Sequence, residues 1–164
     1  MNEASEEHAH RSSRVHIWVP FYDADPMGVV HHANYLRYFE NARIEWFRRR
    51  GITQATMNGP DLQLAVVESQ VWYRSAARFD DNLLIEVRLH EMKHISMEFA
   101  YRAVVKGDAS TNGAEPRLVA DGRTVHACVG KSLRLKKIPP EMREKLMSCG
   151  EVNEASDTKA VEAP

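Results

Sequence analysis

The chain has little of what many recognisable functional sites are built from. Of its 164 residues only two are cysteines, Cys128 and Cys149, and their spacing fits neither a zinc site nor a disulfide framework. It also lacks a glycine-rich phosphate loop, a serine elbow and a cluster of metal-ligating residues. These absences argue against disulfide-stapled, zinc-binding and phosphate-loop proteins, and they predict a protein with no metal and no cofactor.

Long apolar runs and an excess of charge of one sign are missing as well. The apolar runs are only a few residues long, whereas a membrane-spanning helix needs about 20 residues. The opening stretch "MNEASEEHAHRSS" is polar and has no apolar segment of the secretory type. The net charge is -1, from 22 basic and 23 acidic residues, which gives no overall attraction for nucleic acid or anionic lipid. We therefore predict a cytoplasmic protein with no nucleic-acid partner and no stable membrane insertion.

The composition that is present suits one globular domain. Hydrophobic residues make up 43% of the chain and charged residues 27%, which is ordinary for such a protein. A chain of 164 residues is also long enough to bury a substantial core. We predict one domain at residues 14–147, flanked by disordered tails at residues 1–13 and 148–164.

The periodicity of the apolar residues changes once near the start of this domain. The segment "RVHIWVPFY" alternates apolar and polar residues, which is the period of a strand. The following apolar residues have helical spacing, at Tyr35, Phe39, Ala42 and Trp46. Gly51 comes directly after this helix and is a natural C-cap. The helix is unusually aromatic, so we expect it to lie against or inside a sheet.

Four strand-like segments and a short helix follow the aromatic helix. The last of these strands contains Gly122, which predicts a β-bulge. The segment "IPPEMREKL" predicts a final helix with proline at its start. One apolar helix followed by an antiparallel run of strands indicates an α+β domain whose sheet curls round the helix.

The stretch "FYDADPMGVVHHANY" joins the first strand to the helix. On an extended segment Asp23 and Asp25 would point to the same side, and Pro26 and Gly28 favour a sharp turn. The helix start offers unpaired N–H groups and the positive end of the helix dipole. These parts suit acyl transfer, because N–H groups polarise a carbonyl while an acid attacks it or activates water. The alternative is that both acids only cap and solubilise a turn.

The other polar residues near this turn have structural interpretations on their position alone. Adjacent His31 and His32 would point to different sides of an extended segment and would chelate one metal ion poorly. Asn34 is placed to be the N-cap of the helix. Ser96, at the predicted start of a later strand, is a candidate to line a site.

The stretch "DADPMGVVHHANYLRYFENAR" strongly resembles the signature of the 4-hydroxybenzoyl-CoA thioesterase-type hotdog-fold family, and of its YbgC-like acyl-CoA thioesterase branch in particular. The likeness extends through "VVESQVWYRSAARFDDNLLIEVRL" and "LVADGRTVHACV". The resemblance implies a hotdog fold, in which a curved antiparallel sheet wraps one long helix. It also implies homodimers that assemble into homotetramers, with active sites at the dimer interface.

The same resemblance implies roles for individual residues. Asp25 matches the catalytic carboxylate, acting as nucleophile or general base, and the backbone N–H of His32 matches the oxyanion site. The predicted substrate-binding residues are Gly28, Val29, Asn34, Tyr35 and Ser96. A basic cluster that could bind the CoA phosphates, or could be an ordinary solvated surface, includes Lys131, Arg134 and Lys136.

The function implied is that of a thioester hydrolase, which converts acyl-CoA and water to a carboxylic acid and CoA. A non-catalytic acyl-CoA-binding or scaffold protein on the same fold is the alternative. A hotdog dehydratase is a third interpretation, but its histidine-containing helix motif is not visible in the sequence. Met27 and His31 depart from the residues common in the branch, and they could alter the acyl pocket.

Overall fold

The computed structural model of the chain describes residues 12–58, 61–106 and 115–147. Its elements in chain order are β1 (Ser12–Trp18), a 3-10 turn (Phe21–Asp23), α1 (Asn34–Arg48), α2 (Gln54–Asn58), β2 (Gln63–Tyr73), β3 (Asn82–Met92), β4 (Ser96–Val105), β5 (Arg117–Val129) and α3 (Pro140–Met147). Strand β1 begins two residues before the predicted domain boundary. The rest of both predicted tails lies outside the described residues.

The five strands form one antiparallel sheet in the order β1-β3-β4-β5-β2. Strands β1 and β2 are therefore its two edges. The predicted order of one strand, one long helix and four strands is confirmed, and so is the α+β class. None of the helices within the described ranges is long and apolar enough to cross a membrane.

Helix α1 packs its aromatic stripe against one face of the sheet. Phe39 and Trp46 are completely buried, as the helical spacing of apolar residues predicted. The Phe39 ring stacks on Tyr101 of β4 at 4.6 Å, and the Trp46 ring meets Phe99 of β4 edge-on at 5.2 Å. Burial of each large apolar side chain contributes roughly 1.5–3 kcal/mol. This layer therefore holds the helix, and the loop that precedes it, in a defined position on the sheet.

The end of α1 and the start of α3 follow the predicted signals. Gly51 has a φ of 65°, and the N–H of the next residue, Ile52, donates to the Phe47 carbonyl at 3.0 Å. This arrangement closes a helix in the left-handed conformation that glycine adopts without strain. Helix α3 starts at Pro140, where the missing N–H of proline costs nothing.

The prediction of a β-bulge at Gly122 is wrong. The register of β5 continues through Gly122, which pairs with Tyr101 on one side and Val71 on the other. A Cβ at this position would collide with the Phe39 ring. Glycine is therefore needed at this position so that the Phe39 ring of α1 can pack against the sheet. The strand pairing is not interrupted there.

Candidate active site

The loop between β1 and α1 is a tight turn closed by backbone hydrogen bonds. The Asp25 N–H donates to the Val29 carbonyl at 2.8 Å, and the Asp25 carbonyl accepts from the Gly28 N–H at 2.8 Å. Ala24 and Val30 pair in an antiparallel bridge just outside the turn. Gly28 has a φ of 72°, and nothing lies within 4 Å of where its Cβ would be. The turn thus leaves open space beside Gly28, three residues after Asp25.

The two oxygens of the Asp25 carboxylate have different surroundings. Oδ1 accepts a hydrogen bond from the Met27 N–H at 2.8 Å, which fixes the side chain in the turn. Oδ2 forms no hydrogen bond or ion pair with any residue in the described part of the chain, and the side chain is half-buried. Asp25 therefore caps the turn with one oxygen and offers the other to a ligand. The structural and catalytic interpretations of this acid are compatible.

Asp23 is used differently from Asp25. Its side chain is 2% exposed and accepts from the Tyr38 hydroxyl at 2.6 Å and from Arg37 Nη1 at 3.2 Å. Burial, together with the hydrogen bond to Asp23, raises the pKa of Tyr38 well above its usual range, so this hydroxyl stays a donor. The Asp23 carboxylate therefore ties the loop to the side of α1.

The expectation that Asp23 and Asp25 point to the same side applied to an extended segment. The backbone is not extended throughout, because the residues up to Asp23 form a 3-10 turn. The turn directs the Asp23 side chain to partners on α1, whereas Asp25 lies in the loop beyond it.

The backbone amides at the start of α1 are nearly all occupied. Among the residues described, four of the five amides from residue 30 to residue 34 are paired: those of Val30, His31, Ala33 and Asn34 donate to the Ala77 carbonyl, the Asp23 carbonyl, His31 Nδ1 and the His31 carbonyl, respectively. No partner for the His32 N–H is found in the described ranges. This amide lies at the positive end of the helix dipole, where a negatively charged oxygen is favoured.

Asn34 does not cap the helix as predicted. The N-cap position is Ala33, and no side chain provides the capping hydrogen bond there. The Asn34 side chain instead donates from Nδ2 to the Asp23 carbonyl at 3.0 Å and accepts from Arg37 Nη1 at 3.1 Å. It therefore joins the same loop-to-helix network as Asp23.

Several aromatic rings contact the side chain of the residue that carries this amide, or one another. The rings of His31 and His32 lie 4.1 Å apart, and Tyr73 meets His32 and Tyr35 edge-on at 6.5 and 5.4 Å. The Tyr73 hydroxyl also donates to the His32 carbonyl at 3.0 Å. Burial raises the pKa of Tyr35, and a hydrogen bond with the Ala77 backbone opposes that rise. The sequence analysis missed Tyr73, since nothing in a strand period reveals a contact with a loop 41 residues earlier.

Ser96 lies at the other end of the sheet from Asp25. Ser96 pairs with Ala127 of β5. The backbone amides just after Tyr73, which lie near the Asp25 loop, instead donate hydrogen bonds to the Val119 carbonyl of β5. These two positions on β5 are roughly 25 Å apart at the rise of a strand. Ser96 there lines a cavity of about 220 Å³ whose other lining side chains are mostly charged: Glu68, Glu91, Lys93, Met97, Glu98, Arg123 and Val125.

The predicted basic cluster lies at that far end as well. Lys136 Nζ forms an ion pair with Asp61 Oδ2 at 3.1 Å, and the backbone N–H of Lys131 donates to Asp61 Oδ1 at 2.9 Å. These contacts, the Lys131 amide foremost, lower the pKa of Asp61. The side chains of Lys131 and Arg134 are exposed. A single chain therefore does not bring Ser96 or the basic cluster together with Asp25.

The fold and the site together define a class of protein. A curved antiparallel sheet around one helix, with an acid in the loop before the helix and an amide without a partner among the described residues at its start, is the arrangement implied by the thioesterase signature in the sequence. The model of the thioesterase-like superfamily matches residues 19–146 of the chain. The chain belongs to this superfamily, and the family resemblance stated from the sequence is confirmed.

Particular relatives agree with this assignment. A putative esterase of Aquifex aeolicus is 33% identical over 128 residues, which are 78% of this chain and 92% of the relative. The acyl-CoA thioester hydrolase YbgC of Escherichia coli is 33% identical over 101 residues, which are 62% of this chain and 75% of that protein. The solved 4-hydroxybenzoyl-CoA thioesterase of Pseudomonas sp. strain CBS-3 superposes with a TM-score of 0.74, covering 82% of this chain and 99% of that one. At a sequence identity of 23%, this similarity supports a shared hotdog fold and no conclusion about function.

Proposed function

We propose that this protein hydrolyses acyl-CoA thioesters to a free carboxylic acid and CoA. The superfamily match and the similarity to an acyl-CoA thioester hydrolase support this reaction class. The observation that carries the proposal is local. Among the described residues, Asp25 Oδ2 and the His32 N–H have no partner, and both belong to one loop in which the amides of Val30, His31, Ala33 and Asn34 are occupied. An acid and an amide left without partners in this way suit an acyl-transfer site.

The chemistry follows from the placement of these two groups. The thioester carbonyl oxygen would bind at the His32 N–H, where the helix dipole stabilises the negative charge that develops during attack. Asp25 Oδ2 would then attack the carbonyl carbon, expelling the CoA thiolate and leaving a mixed anhydride that water hydrolyses. In the general-base route Asp25 instead takes a proton from an attacking water. Both routes need the same free oxygen, and both leave His32 with the same role.

The remaining loop residues divide into those that face open space and those that hold the loop. We assign substrate contact to Gly28 and Val29, because the space beside Gly28 is open. Asn34 and Tyr35 support the loop from the helix side through the Asp23 carbonyl and the Ala77 backbone. This division is part of the proposal and follows from which polar atoms already have partners.

We further propose that the protein acts as a homodimer paired through β2, and that dimers associate into a homotetramer. Strand β2 is a long sheet edge with exposed apolar side chains, including Val66 at 56% and Val67 at 61%. Edges of this kind pair readily with another strand. The homotetramer rests on the family resemblance, and a cytoplasmic location stays a prediction.

A two-fold pairing of β2 edges would also give the far end of the sheet a role. Antiparallel pairing would set the Ser96 end of one copy beside the Asp25 end of the other. The exposed Lys131 and Arg134 would then be available to the phosphates of CoA, while Lys136 stays occupied by Asp61. This arrangement accounts for predicted site residues that one chain keeps apart.

A thiol-release assay over a panel of aliphatic and aromatic acyl-CoAs tests the proposal. The wild-type protein should release CoA from at least one of them, and Asp25→Asn should abolish most of that release while remaining folded. Asp80→Asn is the matched control, because Asp80 is exposed and its φ of 68° is one that asparagine also adopts. Full activity in Asp25→Asn would remove Asp25 from the reaction. Binding of acyl-CoA without turnover across the panel would favour the scaffold alternative.

A further inference from the structure

We propose that Tyr73, on the edge strand β2, is a positioning residue for the oxyanion amide of His32. The proposal rests on the proposed function. Its basis is a hydrogen bond at 3.0 Å from the Tyr73 hydroxyl to the His32 carbonyl oxygen. Tyr73 thereby fixes the backbone of the residue whose N–H has no partner among the described residues, although the two residues are far apart in sequence.

The two peptide groups that flank His32 are held separately. The peptide before it carries the free N–H, and its carbonyl, that of His31, accepts from the Asn34 N–H at 2.9 Å. The peptide after it is held at its carbonyl by Tyr73 and at its N–H, that of Ala33, by His31 Nδ1 at 3.3 Å. Because each peptide is planar, its orientation is set by what its N–H and C=O contact. Without the Tyr73 hydroxyl, the second peptide keeps only the longer of its two bonds.

The Tyr73 side chain is half-exposed, and ring contacts together with its backbone pairing hold it in place. It contacts His32 and Tyr35 edge-on, and the Tyr73 backbone pairs with Ala120 at the end of β2. The next amide, that of Arg74, donates to the Val119 carbonyl at 2.7 Å. The hydroxyl therefore reaches the loop from a part of the sheet whose own position is fixed.

The chemical consequence concerns the transition state more than substrate binding. An oxyanion donor is effective when it already points at the position where negative charge develops. A small misplacement of such a group lowers the rate of the chemical step. Tyr73 thus acts through His32 and transfers no proton, so its loss should lower kcat and leave KM and the shape of the pH–rate profile unchanged.

The test is Tyr73→Phe, which removes the hydroxyl and keeps the ring. Tyr22→Phe is the matched control, because Tyr22 is an exposed tyrosine near the loop whose hydroxyl makes no hydrogen bond with the described residues. We expect kcat of Tyr73→Phe to fall about tenfold, with KM within twofold of wild type and thermal unfolding nearly unchanged. Tyr22→Phe should match wild type in all three.

The outcomes separate this inference from the proposed function. If wild type releases CoA and Tyr73→Phe has the same kcat, the positioning role is overturned and the thioesterase proposal stands. A fall in activity that follows a loss of folded protein, a rise in KM alone, or a changed pH–rate profile also overturns it. If wild type releases CoA from none of the acyl-CoAs, both proposals fail.

Discussion

At the Asp25 end of the sheet a carboxylate oxygen and a backbone amide have no partner in the described structure, whereas at the Ser96 end the cations Lys93, Arg123 and Lys136 each pair with an acid. Arg123 contacts both Glu68 and Glu98 there, and Lys93 pairs with Glu91. Both ends are polar, and the far end has a cavity of about 220 Å³ lined mostly by charged side chains. We therefore expect the reaction at the end where groups are left unpaired, and we do not expect it at the end where charges are most numerous.

The largest expected effect is at the unpaired end. Asp25→Asn should lower kcat by at least about 100-fold, because the amide can neither attack a carbonyl nor accept a proton from water. Its Oδ1 can still accept from the Met27 N–H, so the turn should persist. Steady-state kinetics and a thermal melt measure the two effects. A variant that loses stability together with activity would mean that Asp25 is mainly a turn residue.

The same substitution at the neighbouring acid should act on stability first. Asp23→Asn replaces a buried carboxylate that accepts from Tyr38 and Arg37, and we expect it to cost roughly 1–3 kcal/mol of unfolding free energy. Urea denaturation of Asp23→Asn, Asp25→Asn and Asp80→Asn compares the three acids directly. Equal stability of all three variants would contradict the anchoring role of Asp23.

A buried histidine makes stability depend on pH. His126 is completely buried, and burial, aided by the charge of Arg43, lowers its pKa to about 4. The unfolded chain, with a histidine pKa of about 6.5, binds a proton that the folded chain excludes. The stabilisation is therefore complete above about pH 6.5 and is lost as the pH falls towards 4.

Urea denaturation at pH 7 and pH 5 measures this effect. We expect His126 to account for about 2 kcal/mol of the stability lost between the two pH values. His126→Gln should flatten the pH dependence by that amount. An identical slope in wild type and His126→Gln would show that His126 does not titrate as its burial requires.

The smallest effect is expected at the paired end. Arg123→Met removes a partly exposed cation from Glu68 and Glu98, and exposed ion pairs contribute about 0–1 kcal/mol. Unfolding free energy should fall by less than about 1 kcal/mol, and kcat should stay within twofold. A large loss of kcat would show that the far end takes part in the reaction and would strengthen the proposed pairing of β2 edges.

The order of elements and the class of fold were predictable, because they depend on periods that the sequence states directly. The helical spacing of Phe39 and Trp46 placed both in the core, and Gly51 ended the helix as expected. Gly122 and Asn34 were misread for one reason. Glycine inside a strand often marks a β-bulge, and asparagine before a helix often caps it. Here contacts with more distant residues determine both positions: Gly122 makes room for Phe39, and Asn34 binds the Asp23 carbonyl.

By itself the sequence determined the α+β class, the aromatic helix and the loop in which Asp25 and His32 lie, since each follows from residues close together in the chain. Only the tertiary structure decided which acid is anchored and which is free, because Tyr38 and Arg37 become available to Asp23 once the 3-10 turn faces α1. It also decided which amides of this loop find partners among the described residues. The partners that occupy the neighbouring amides and the His32 carbonyl include Ala77 and Tyr73, which only folding brings to the loop.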